Sequence, residues 1–98
     1  MKDYLEIEKE NSRYILHKGV FSDIARQLID EDNDFELKSL SCRINDSRIS
    51  LDADLKVRSG IDVNANTMRL QRQLYDLIRN STGVSCERID LKIVGFVF

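Results

Sequence analysis

The stretch Arg48-Ile49-Ser50-Leu51-Asp52-Ala53-Asp54-Leu55-Lys56-Val57-Arg58 decides the fold. Ile49, Leu51, Ala53, Leu55 and Val57 fall on one side of an extended chain, and Ser50, Asp52, Asp54 and Lys56 on the other. Successive side chains of a strand point to opposite faces, so the alternation predicts one covered face and one wet face. It also predicts an antiparallel hairpin with the segment before it, residues 35–44. There Leu40, Cys42 and Ile44 alternate with Ser39, Ser41 and Arg43, and Asn45-Asp46-Ser47 supplies the turn.

Downstream, Ser59-Gly60 breaks the strand, and Asp62 or Asn64 can cap a helix reaching about Asn80. That helix would be roughly 27 Å long at its standard rise. Val63, Leu70, Leu74, Leu77 and Ile78 form its expected buried stripe, and Gly83 stands where a left-handed residue ends a helix. A last strand over residues 87–97 carries Ile89, Leu91 and Ile93 on one face, with Val94, Phe96 and Phe98 expected on the other. This half of the chain leaves no room for a catalytic apparatus.

Upstream, Leu5 and Ile7 alternate with Glu6 and Glu8, a short strand. A turn at Glu10-Asn11-Ser12 returns the chain as a second strand over residues 13–17. Gly19 is expected to break it before a helix over residues 20–30, with Val20, Phe21, Ile24, Ala25, Leu28 and Ile29 on its apolar face. The whole order is ββ-α-ββ-α-β, an α+β chain with two helices packed on one face of a mixed, mostly antiparallel sheet. At 98 residues it is one domain, residues 1–98, burying about 60–65% of its unfolded surface.

Apolar residues make up 42% of the chain and charged ones 33%, a globular balance. The net charge of −2, from 15 basic and 17 acidic side chains, argues against a nucleic-acid partner, which favours a basic surplus. Cys42 and Cys86 form no CxxC pair and read as reduced core thiols of a cytosolic protein. No apolar run approaches the roughly 20 residues of a bilayer span, so direct membrane insertion is not expected. Met1-Lys2-Asp3-Tyr4 opens no secretory signal.

Sites of chemistry are sparse. His17 is the only histidine and has no companion ligands, so it reads as a strand-end residue rather than a metal ligand or catalyst. A thiol nucleophile at Cys86 or Cys42 would need His17 beside it, and Cys42 lies between Leu40 and Ile44 in an apolar setting that raises a thiol pKa. Asp30, Asp32 and Asp34 match the first positions of a calcium loop, but Phe35 stands where glycine is required and Ser41 where the bidentate acid belongs. The acidic run Asp30-Glu31-Asp32-Asn33-Asp34 then reads as a solvated loop, set unfavourably against a helix C-terminus. The glycines at 19, 60, 83 and 95 are isolated, which removes every phosphate-cradling motif. No catalytic residue, cofactor or metal is expected.

Two surfaces remain as candidate partner-binding sites. Met68, Arg72, Tyr75 and Arg79 fall at i, i+4, i+7 and i+11 of the second helix, a composition that interfaces favour. Val94, Phe96 and Phe98 are expected to form an apolar patch on the open face of the sheet, unless the N-terminal hairpin folds over it.

The chain resembles the alkaline shock protein family, the envelope stress response proteins of Gram-positive bacteria. The similar residues are Gly60-Ile61, Leu70-Gln71, Ser81-Thr82-Gly83-Val84 and Ile89-Asp90-Leu91-Lys92-Ile93-Val94-Gly95, with Gly19-Val20 and Ile24-Ala25 in the first helix. The second helix opens with Asp62-Val63-Asn64 instead of the family's proline or acidic pair, and the first-half hairpin is richer in Ser, Arg and Asp. The resemblance implies a non-enzymatic protein of the cytoplasmic face of the envelope, in a family prone to self-assembly into homo-oligomers, some of whose members are tethered to the membrane through an anchoring partner. The alternative is a KH-like RNA- or ribosome-associated module using Arg69, Arg72 and Arg79, though the GxxG clamp of that fold is missing.

Overall fold

The decisive hairpin forms where the alternation places it, in a computed structural model that describes residues 2–98. Met1, the first residue of the opening stretch read for a signal, lies outside them. The strands are β1 (Tyr4–Lys9), β2 (Ser12–His17), β3 (Phe35–Asn45), β4 (Arg48–Arg58) and β5 (Cys86–Val97). The helices are α1 (Lys18–Asp30) and α2 (Val63–Thr82), so the order is ββ-α-ββ-α-β as expected.

β3, β4 and β5 form one sheet in that order, β3 antiparallel to β4 and β5 parallel to it. A parallel neighbour needs a long crossover, and α2 supplies it. The helices cover the face carrying Ile49, Leu51, Ala53, Leu55 and Val57, all buried. Phe21, Ala25 and Ile29 of α1 and Leu70, Leu74 and Ile78 of α2 meet them in a single core. The opposite face is polar, with Arg43 paired to Asp52 at 3.0 Å and Arg88 to Asp90 at 2.8 Å.

The N-terminal hairpin is not part of that sheet. β1 and β2 make a separate two-stranded ribbon, turned by Glu10 and Asn11 with Asn11 at φ 62°. Leu5 plugs the core, and a shallow cleft lies between the ribbon, the β3–β4 turn at Ser47 and the chain at Gly83 and Val84. The ribbon therefore sits at the end of the sheet away from Phe96, and it does not fold over the open face.

Four local expectations change. Gly19 is no breaker: β2 runs straight into α1 at Lys18, and His17 makes the transition by accepting the Gly19 backbone N–H on Nδ1 at 2.9 Å. Val20 and Leu77, placed on buried faces by periodicity, are exposed because each sits at the margin of its stripe. β3 holds its phase only through a bulge between Leu37 and Ser39, which lets Phe35 and Leu37 share the inner face with Leu40, Cys42 and Ile44.

The fourth concerns β5. Its pairing slips twice, leaving Glu87 and Val94 without partners on β4. Beyond Val94, Gly95 lies opposite Lys56 and Phe96 opposite Val57, a buried residue of the helix-covered face. One inserted residue exchanges the faces of all that follow. Phe96 consequently stands on the helix side, 51% exposed beyond the cover of the helices, with Phe98 at a ring-centroid distance of 6.4 Å. The expected patch of Val94, Phe96 and Phe98 on the open face does not exist.

Candidate functional site

α2 is set by its ends. Asp62 accepts the Ala65 N–H at 3.0 Å, and Gly83 adopts φ 76° while donating to the Arg79 carbonyl at 2.8 Å. With both caps fixed, burying Leu70, Leu74 and Ile78 turns the opposite side of the helix outward. Met68, Arg72 and Tyr75 project there, Met68 56% and Tyr75 37% exposed.

These three do not face bulk water alone. With Gln71 they line one wall of an open groove of about 500 Å³, whose other wall is the start of β5 at Arg88 and Ile89. Gln71 bridges the walls, donating from Nε2 to the Ile89 carbonyl oxygen at 3.1 Å and fixing the helix–strand spacing. Among the described residues β5 pairs with β4 alone, so its far side is a strand edge. The structure thus brings Met68, Arg72 and Tyr75 together and leaves Arg79 outside, a turn further along α2. Val94, Phe96 and Phe98 sit toward the other end of β5. Gln71, Arg88 and Ile89 are site residues that sequence spacing missed.

A second groove, of about 630 Å³, is polar and lies over the acidic loop after α1. Here the reading of a solvated loop needs correction. Arg69 of α2 donates from Nη1 to Asp32 Oδ2 at 2.9 Å and reaches Asp34 at 3.5 Å. Arg58 at the end of β4 binds Asp34 at 2.7 Å. Two arginines from distant elements thereby offset the crowded carboxylates at the negative end of α1. Asp32 is the most enclosed of these groups, its side chain only 11% exposed. Arg69→Ala therefore leaves a largely buried carboxylate short of its donor and should cost about 1–2 kcal/mol, against less than about 0.5 for Arg72→Ala at an exposed position. Urea denaturation of the two variants checks this. With Arg69 engaged, only Arg72 and Arg79 of the arginines offered to RNA phosphates stand free of the acidic loop.

The remaining candidates are structural in their contacts. His17 caps α1 and meets the Tyr4 ring edge-on at 4.9 Å. Cys42 and Cys86 are free, buried thiols, and burial pushes both up to about 11, the reverse of an activated nucleophile. Among the described residues, no group of three His, Cys, Asp or Glu side chains is placed to hold a metal ion. No helix among them is long and apolar enough to cross a membrane.

Comparison with protein-family models, with curated proteins and with solved structures finds no match to this chain.

Proposed function

We propose that the chain is a non-enzymatic interaction module of the cytoplasmic side of a stressed cell envelope. It acts by self-association or by binding a membrane-anchoring partner, in the manner its resemblance to the alkaline shock proteins implies. The observation that carries this reading is the α2–β5 groove. An apolar and cationic strip, Met68-Arg72-Tyr75, faces a strand edge that has backbone groups to share, and together they offer both the hydrophobic anchors and the hydrogen bonds that interfaces use. Phe96 and Phe98 add a second exposed apolar cluster at the far end of the same strand.

The test compares the native chain with Met68→Ser/Tyr75→Ser and Phe96→Ser/Phe98→Ser. Light scattering reads self-association, and co-purification reads binding to a membrane-anchored protein encoded beside it. Loss of either in one double variant, with the melting profile kept, is the expected result. A native chain that neither self-associates nor binds such a partner removes the reading.

A further inference from the structure

We propose that β5 pairs antiparallel with β5 of a second copy about a two-fold axis at Leu91, joining two three-stranded sheets into one of six strands. This rests on the reading above and names the surface through which self-association occurs.

The regular part of the edge is short. Glu87 and Val94, each without a partner on β4, bracket the six residues Arg88 to Ile93. In a two-fold antiparallel pair, opposing residues share a face, so the axis must pass through a residue rather than between two. Centring on Asp90 sets Asp90 against itself and Arg88 against Lys92, like charges in each of its polar pairs. Centring on Lys92 sets Lys92 against itself. Centring on Ile89 or Ile93 brings a bulge within two residues of the axis. Centring on Leu91 alone places Asp90, which already holds Arg88 of its own strand at 2.8 Å, opposite Lys92 of the second copy, twice by symmetry, and Leu91 opposite Leu91. It also sets Ile89 against Ile93, where the Ile89 carbonyl, already accepting from Gln71 Nε2 at 3.1 Å, takes the Ile93 amide of the second copy on its other lone pair. Opposite-charge and apolar cross-strand pairs both stabilise a sheet, and like charges directly opposite destabilise it.

The covered face asks for the same neighbour. Ile89, Leu91 and Ile93 pack against the core but stay only partly buried, because α2 covers them from one side. A second β5 lays an identical apolar row alongside, beneath two α2 helices whose exposed Met68 and Tyr75 already line the groove. The other edge offers no such match. Past its bulge, β3 carries one charged side chain, Arg43, between Ser39 and Asn45, so no reciprocal pair can form. The reciprocity of Asp90 and Lys92 is what selects a second copy over an unrelated extended peptide.

The full chain is examined by sedimentation and light scattering over a wide concentration range. The expected species is a dimer of the 11.4 kDa chain. Asp90→Lys, at a half-exposed edge position, should weaken it at least tenfold, while Asp90→Lys with Lys92→Asp restores it. Leu91→Cys should give a covalent dimer under oxidised glutathione, since directly opposed residues lie about 4.5–5.5 Å apart at Cα, within disulfide reach. Melting curves confirm that each variant folds. A chain that stays monomeric, or a dimer indifferent to Asp90→Lys, overturns the β5 pairing. Either result leaves the proposed function standing if the membrane-anchoring partner still binds through α2 or the phenylalanine cluster.

Discussion

Phe21→Ala lowers the melting temperature by about 15 °C or more, the largest single effect expected of any substitution in this chain. Phe21 is wholly buried on the inner face of α1, next to Ala25 and Ile29 and above the sheet. Removing the ring leaves a cavity that a small core collapses poorly, at a cost of about 3–5 kcal/mol. A domain of this size commonly holds only about 5–15 kcal/mol in all. Val20→Ala, one residue earlier but on an exposed position, should shift stability by less than about 1 kcal/mol. Thermal denaturation of the pair checks the contrast. Similar losses in both would mean that α1 is rotated from the orientation described.

The second large effect is a loss of stability in alkali. Burial holds the Cys42 and Cys86 thiols protonated up to about 11, and the neighbouring Cys42 adds to the rise at Cys86. In the unfolded chain the same groups ionise near their ordinary value of 9.0. Between those two values the native state binds more protons than the unfolded state, so stability falls as pH rises and levels off once both forms have ionised. The stabilisation is fully present below about 9 and is lost on the way to 11, on the order of 2 kcal/mol for each thiol. Urea midpoints measured below 9 and close to 11 read the loss, and Cys86→Ala should show a smaller one. An unchanged slope in that variant would mean that other groups carry the pH dependence.

Much of the architecture was legible because its signals are local. The alternation of β4, the Asp62 cap and the left-handed Gly83 each act within a few residues of where they are read. The Met68-Arg72-Tyr75 strip was legible for the same reason, since helical spacing alone puts those side chains on one side. Its opposite wall was not, because which strand ends up at the sheet edge is a property of topology. The β5 bulge misled more directly. Ile93-Val94-Gly95-Phe96 reads equally well as a strand with two apolar faces or as a phase slip, and Gly95 was the one residue hinting at the second. The pairing of Asp32 and Asp34 with Arg69 and Arg58 spans 37 and 24 residues, beyond any local pattern.

The separate N-terminal ribbon has a consequence for how the molecule comes apart. Two strands alone are marginal in water, and this pair is fastened by Leu5, by a Lys18–Asp3 ion pair at 3.1 Å and by a long Tyr14 hydroxyl bond to Thr82 at 3.5 Å. Its amides can therefore exchange with solvent through fraying of that arm alone. Those of β4, flanked on both sides and roofed by two helices, must wait for the whole structure to open. Unzipping starts at the amino end.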